Sequence, residues 1–299
     1  MSPISHAGEL VALATAGCWT LTALCFEAAS RRVGSLAVNL ARLILAMGFI
    51  SVYCRLVRGQ WLPFDATAYN WYWLLLSGVV GIFVGDMCLF RAFVLIGARK
   101  TMLVMSLAPP LTAIVGWLIL GELLTPLDWA GMVLTVIGVA WVVMEQEPEG
   151  EKGSSGKTFP GLTLALLAAT GQAVGLVLSK FGMKGYDPFA ATQIRILAAL
   201  GIFLLLFAAF RWWPRVKAIL DQRAALGWTA MGAFFGTFLG ISLSLLAVKL
   251  TKTGIAATIM SIVPILIIPP AAFFFKERIT PRAVIGAFVA VIGVSVLFL

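Results

Sequence analysis

An ionisable side chain inside a lipid-spanning segment is costly, so it is the first place to look for chemistry. Three such residues interrupt long apolar runs in this sequence: Arg42, Asp86 and Arg195. Arg42 stands seven residues into the run 35–56, about 10 Å deep at about 1.5 Å per helical residue. A guanidinium there either binds a substrate carboxylate in a central cavity or snorkels to headgroups and caps a neighbouring helix end. Asp86 is the only acid well inside a run. It accepts a proton or a substrate amine, or it forms a structural ion pair. Arg91 is five residues on, so the two do not stack on one helix face. Asn39, Gln172 and Gln193 are neutral polar residues at similar depth, suited to lining a cavity or to bonding a partner helix. Trp19 offers a ring for stacking on substrate or for packing. These seven form the candidate substrate-binding set.

Other chemistry finds little material. The sequence shows no His/Asp/Ser constellation, no carboxylate pair at depth and no cluster with metal-ligand spacing. No catalytic residue, metal or cofactor is therefore expected, and an enzyme acting on lipid is disfavoured. The one histidine, His6, precedes the first apolar run, and Cys18, Cys25, Cys54 and Cys88 lie within such runs as small packing residues. Gly-Ser-Ser-Gly-Lys-Thr at 153–158 mimics a phosphate loop, but the first glycine of that motif is replaced by Glu151, and no strand precedes it.

The elements that position these residues follow from composition. Of 299 residues 61% are hydrophobic and 12% charged, and the mean hydropathy is +1.01. A soluble domain carries about 25% charged residues, so this chain belongs in a membrane. A span needs about 20 apolar residues, and candidates lie at 9–28, 35–56, 72–93, 101–120, 127–144, 160–180, 188–209, 226–248, 255–275 and 282–299. Runs this long and continuous satisfy their backbone polar groups as helices, not barrel strands. No cleavable signal is expected, because the first run is long and lacks a small-residue cleavage site.

The runs are duplicated. With an offset of 155, Met105, Ser106 and Pro109 fall on Met260, Ser261 and Pro264; Glu122, Thr125 and Pro126 fall on Glu277, Thr280 and Pro281; Gly131 and Gly138 fall on Gly286 and Gly293. Gly81 and Gly85 match Gly236 and Gly240 at the same offset, and upstream an offset of 153 aligns Arg42 with Arg195. Residues 1–144 and 160–299 are thus two five-helix repeats joined by a polar linker at 145–159. Five is odd, so repeats of one fold enter the membrane from opposite sides. The expectation is an all-α polytopic protein of ten helices, two inverted repeats around a central cavity at mid-membrane. Gly81 and Gly85, with Gly232, Gly236 and Gly240, read as smooth stripes for close helix packing. Pro109 and Pro110, with Pro264, Pro269 and Pro270, interrupt the fourth and ninth helices as hinges, cavity walls or static kinks. Thr125 and Thr280 read as N-caps, with Pro126 and Pro281 at the first helical position, leaving Glu122 and Glu277 interfacial and structural.

These residues resemble the EamA-type branch of the drug/metabolite transporter superfamily. Gly121-Glu122-x-x-Thr125 followed by Gly131 and Gly138 is similar to that family's signature, and Lys276-Glu277-Arg278-Ile279-Thr280 followed by Gly286 and Gly293 to its second copy. Trp19 within Ala16-Gly17-Cys18-Trp19 fits the pattern too. The resemblance covers the whole chain and implies a secondary transporter of small metabolites with ten helices. In length and layout the aromatic amino-acid exporters of the YddG type are near neighbours, which implies outward movement of aromatic or other neutral amino acids by alternating access. Nucleosides, sugars or drugs are the alternative cargo. An open channel is the alternative mechanism. Two departures count against proton-coupled export of cationic drugs: Gln172 stands where the second repeat would keep an aromatic, and the first helix carries Glu27 near its end instead of a mid-helix glutamate.

The net charge of +9 comes from basic residues in short gaps between apolar runs, which suits anionic lipid headgroups and not nucleic acid. The expected partners are a small-molecule substrate and the bilayer, with the chain as monomer or homodimer. The resemblance implies an inner-membrane protein with both termini in the cytoplasm. Charge counting opposes that: the gaps then cytoplasmic hold Arg55, Arg58, Lys180, Lys184, Lys249 and Lys252, against fourteen basic residues in the opposite gaps and linker.

Overall fold

A computed structural model describes residues 6–145, 155–266 and 281–298. Among these residues every regular element is a helix. The first repeat comprises α1 (Ala7–Val33), α2 (Ser35–Arg58), α3 (Ala68–Ser77), a π-helical segment π1 (Gly78–Val84), α4 (Gly85–Met105), α5 (Ala108–Leu120) and α6 (Pro126–Glu145). The second comprises α7 (Ser155–Met183), α8 (Pro188–Ala209), α9 (Trp213–Asp221), α10 (Arg223–Gly232), π2 (Ala233–Gly240), α11 (Ile241–Leu250), α12 (Thr253–Met260), α13 (Val263–Leu266) and α14 (Pro281–Val296). Among the described residues six helical stretches are long and apolar enough to cross a bilayer, and Ala108–Leu120, Pro126–Val142 and Val284–Val296 are shorter apolar helices. The chain is a multi-pass membrane protein.

Local sequence chemistry sets several helix ends. Thr67 and Asn70 cap α3 reciprocally: the Asn70 amide donates to Thr67 Oγ1 at 3.2 Å, and the Thr67 amide to Asn70 Oδ1 at 3.1 Å. Asp187 accepts from the Ala190 amide at 2.8 Å and Pro188 opens α8. Thr125 caps α6 as its sequence indicates, with Thr125 Oγ1 and Asp128 Oδ2 each accepting the other residue's amide. Gly59 and Gly121, at φ +74° and +68°, close α2 and α5 in the left-handed conformation that glycine adopts without strain.

Three expectations need correction. A connection at 94–100 is absent, since α4 runs through it and the chain first breaks at Ser106–Leu107. Arg99 and Lys100 interrupt apolarity without terminating a helix, and the nearby Gly97 costs only about 1 kcal/mol in a helix interior. The 210–225 gap is not a plain connection. It contains α9, whose Ile219 is fully buried against Ala29, Ala37, Val38 and Ala41. Finally, Pro109 and Pro110 do not kink a helix interior. They occupy the first turn of α5, after the break, where a missing amide donor costs nothing. Pro264 lies likewise at the start of α13. Pro269 and Pro270, with Glu277 and Thr280, lie outside the described residues.

The repeats interlock. α1 packs along α10, π2 and α11 of the second repeat, and α7 packs along α3, π1 and α4 of the first. α6 lies against α14, and here the duplicated signature glycines find their reason. A Cβ at Gly293 would sit 2.5 Å from Thr135 N and 2.8 Å from Gly131 O; one at Gly131 would sit 2.9 Å from Gly293 O. The two helices touch backbone to backbone, as small residues permit in lipid.

Candidate functional site

Two irregularities recur at matched places. π1 begins at Gly78 and π2 at Ala233, again 155 apart. The breaks Ser106–Leu107 and Ser261–Ile262 follow the same offset. π-helical turns and helix breaks loosen the regular backbone ladder and gather at functional sites, and these four surround one space. A cavity of about 390 Å³ lies between the repeats. The first repeat lines it with Gly81 and Ile82 of π1 and with Met105, Ser106, Ala108 and Pro109 at the break. The second contributes Gly236 and Thr237 of π2 and Met260, Ser261 and Val263. Trp19, Thr22 and Phe26 of α1 face it from one flank, and Gln172, Ala173 and Leu176 of α7 from the other.

Charge is concentrated on three of the lining residues. Arg42 of α2, Asp86 of α4 and Arg195 of α8 all line the cavity. Arg42 Nη2 donates to Asp86 Oδ2 in an ion pair, while its guanidinium carbon lies 5.6 Å from the Phe26 ring centroid. Arg195 is 5% exposed, packs over the bare backbone of Gly81, and leaves its Nε without a hydrogen-bond partner. It contributes a second positive charge acting on the Asp86 carboxylate. Asp86 therefore pairs across helices with Arg42, not with Arg91 on its own helix.

Of the sequence candidates, Trp19, Arg42, Asp86, Gln172 and Arg195 border the cavity. Gln193 does not. It is fully buried, and its Nε2 donates to Ser51 Oγ at 2.9 Å and to Trp61 O at 2.7 Å, tying α8 to α2 and the loop beyond it. Asn39 is 2% exposed, has neither side-chain polar atom bonded, and is not among the lining residues. The glycine stripes divide by function. Gly81 meets Gly175 closely, a Cβ on Gly175 falling 2.6 Å from Gly81 Cα, and Gly85 packs against Gly171. Gly232, Gly236 and Gly240 instead make room for Phe26, Thr22 and Trp19. Those α1 side chains then reach the cavity wall.

At the end where the termini lie, marked by the His6 and Phe298 rings with centroids 5.9 Å apart, a cluster of polar contacts joins the repeats. Glu122 is the centre of that cluster. Its carboxylate accepts from Thr253 N and Thr253 Oγ1, each at 2.7 Å, and pairs with Lys180 Nζ at 2.6 Å. Lys180 also donates to Thr251 O, Thr251 Oγ1 donates to Glu9 Oε1 at 2.7 Å, and Lys252 Nζ lies 2.9 Å from Asp128 Oδ2. Each of these contacts but Lys180 to Thr251 joins one repeat to the other. Glu122 has the structural position its sequence suggests, yet the clasp it organises was not visible from spacing. The same holds for Ser106 and Ser261. Their repeated Met-Ser-x-x-Pro context was the available signal. Among the described residues no group of His, Cys, Asp and Glu is placed to hold a metal ion.

The profile of the EamA-like transporter family matches residues 6–144 and, a second time, residues 159–299. A protein of Archaeoglobus fulgidus described as an uncharacterized transporter is 24% identical over 291 residues, 97% of either chain. A Haemophilus influenzae protein described as uncharacterized is 28% identical over 103 residues, 34% of this chain and 75% of its own. A crystal structure of a protein with 18% identity has the same fold, with TM-score 0.73 over 97% of this chain and 96% of that one.

Proposed function

The chain belongs to the EamA-like transporter family, and on that premise we propose that it moves small carboxylate-bearing metabolites, amino acids first among them, outward by alternating access. The observation that carries this reading is the Arg42–Asp86–Arg195 group lining a cavity bounded by both repeats. Two guanidiniums suit a carboxylate, which each can meet with a planar fork of donors. The walls of Trp19, Phe26, Ile82, Leu89, Met105 and Met260 suit an apolar or aromatic body, the usual division of labour in a small-molecule site. Alternating access draws support from the clasp at one end and from irregular backbone at matched places in both repeats. In this reading the protein sits in the cell's inner membrane with both termini in the cytoplasm; a reporter fused after Leu299 tests that orientation against the opposing charge count.

The test of function is counterflow in proteoliposomes with labelled amino acids. Preloaded substrate accelerates entry through a carrier and leaves a pore unaffected. A charge-assisted contact contributes about 1.5–3 kcal/mol, so Arg42→Gln or Arg195→Gln is expected to lower transport per folded protein by about ten- to a hundredfold. An amidated analogue is expected to be a poor substrate of the wild type, and its transport should change little in the variants. Equal loss on acid and amide would overturn the carboxylate role.

A further inference from the structure

The arginines of the cavity are repeat mates, but the acid between them has no mate. Arg42 and Arg195 are related by the 153-residue offset, whereas the position 155 residues after Asp86 is Ile241, which also lines the cavity. One carboxylate thus serves two guanidiniums. Asp86 is engaged by Arg42 Nη2, both arginines keep an Nε with no hydrogen-bond partner, and Arg195, 5% exposed, forms no ion pair of its own among the described residues. Among the described lining residues the charges sum to one uncompensated positive charge. Such a charge inside a membrane protein is costly unless paired, and the missing partner is the ligand.

We infer that the cavity selects a ligand carrying one net negative charge at neutral pH, which rests on the reading of this cavity as the transport site. A monocarboxylate placed against Arg195 neutralises the site while leaving the Arg42–Asp86 pair intact. A neutral zwitterion brings an ammonium whose natural partner, Asp86, is already held by Arg42. It leaves the site's net charge unchanged. A cation adds to the excess. A doubly charged phosphate monoester overshoots it. An acidic amino acid and a simple organic acid share the chemistry the site asks for: one net negative charge on a carboxylate-bearing body that fits about 390 Å³.

The experiment measures binding to the purified full-length protein of four ligands on one skeleton: 3-phenylpropionate, L-phenylalanine, phenethylamine and 3-phenylpropionamide. The ranking in the wild-type protein needs no variant. A charge-assisted contact made to a desolvated guanidinium should favour 3-phenylpropionate over L-phenylalanine by about tenfold, with phenethylamine weakest. Asp86→Asn raises the excess by one charge and should tighten 3-phenylpropionate by about another tenfold, while Arg195→Gln removes the excess and should bring acid and zwitterion within about threefold of each other. Arg195→Lys keeps the charge and should keep the order. If the wild type binds the zwitterion as tightly as the acid, or Arg195→Gln retains the preference, the charge inference is overturned. If the amide binds as well as the acid, the carboxylate reading of the site falls with it. If acid is preferred to amide but not to zwitterion, only the charge inference fails. Absence of binding by all four ligands to every variant overturns both.

Discussion

Replacing Glu122 with glutamine separates a clasp from a merely structural contact. The carboxylate accepts two hydrogen bonds from Thr253 and one ion pair from Lys180, and the Lys180 and Glu122 side chains are 24% and 13% exposed. Glutamine keeps an oxygen for Thr253 but loses the charge that strengthens both bonds and the attraction to Lys180. A hydrogen bond to a charged group contributes about 1.5–3 kcal/mol against about 0.5–1.5 for a neutral one, so the closed state should lose about 2 kcal/mol. If the bonds exist only when the termini end is closed, about 2 kcal/mol shifts the closed-to-open ratio by about thirtyfold. The assay is a single cysteine at the cavity position 257, Ala257→Cys, after replacement of Cys18, Cys25, Cys54 and Cys88. Its rate of reaction with a membrane-impermeant maleimide added from the termini side should rise at least tenfold in Glu122→Gln, provided modification is slow relative to opening. An unchanged labelling rate in a protein whose unfolding midpoint has dropped would refute the reasoning, because the bonds would then be made in both states.

Other outcomes follow from the same geometry. Gly293→Ala places a methyl 2.5 Å from Thr135 N, and it should cost about 1–3 kcal/mol by forcing α6 and α14 apart, measured by unfolding in detergent. Gln193→Leu strands Ser51 Oγ and Trp61 O; it should lower stability by about 1–3 kcal/mol without changing substrate preference in counterflow. The loop residue Tyr186 has its phenol pushed up to about 12 by burial, with acceptance of its hydrogen bond by Asp65 acting in the same direction and Arg58 opposing. A raised phenol favours the neutral form in the folded protein. Its contribution is therefore complete below the unfolded value of about 10 and is lost as pH rises from about 10 to about 12. Phenolate absorbance titrated in wild type and Tyr186→Phe checks this.

What was legible in the sequence was what duplication and depth can reveal. Gly131, Gly138, Gly286 and Gly293 announced the duplication, while the backbone-to-backbone seam that they form between α6 and α14 was visible only in the structure. Arg42, Asp86 and Arg195 were conspicuous because charge is rare in apolar runs. What stayed hidden depends on partners distant in sequence. Nothing in the spacing of Gln193 says that its amide reaches Trp61, 132 positions away, and its polarity alone suited a cavity equally well. The π segments are silent because Gly-Val-Val-Gly and Ala-Phe-Phe-Gly read as ordinary helix; only their recurrence at one offset distinguishes them. Pro109 marked a real break and lines the cavity, but a proline in an apolar run signals a break without saying on which side of it the break falls, so the interior kink was misplaced.

The duplication also predicts which access state the protein rests in. An ideal inverted repeat makes its two ends equivalent, so a clasp at one end should have a copy at the other. The sequence denies it one. Glu122 has a mate in Glu277, but the positions matching its partners Thr253 and Lys180 are Ala98 and Glu27. Ala98 has no hydroxyl, and Glu27 replaces an attractive charge with a repulsive one. The pair Asp128 and Lys252 maps to Ala283 and Gly97, and Glu9 and Thr251 map to Leu162 and Ile96. Every partner that makes the termini end adhesive is lost at the opposite end. The equilibrium should therefore favour the state closed at the termini, which faces outward if the termini are cytoplasmic. The expected outcome is asymmetric: Glu122→Gln increases labelling of the cysteine at 257 from the termini side, whereas Glu277→Gln leaves labelling from both sides within about twofold of the parent, since the matching positions offer it neither hydroxyl nor cation. Equal and opposite shifts from the two variants would show that both ends carry working clasps, and the bias argued from their unequal partners would be wrong.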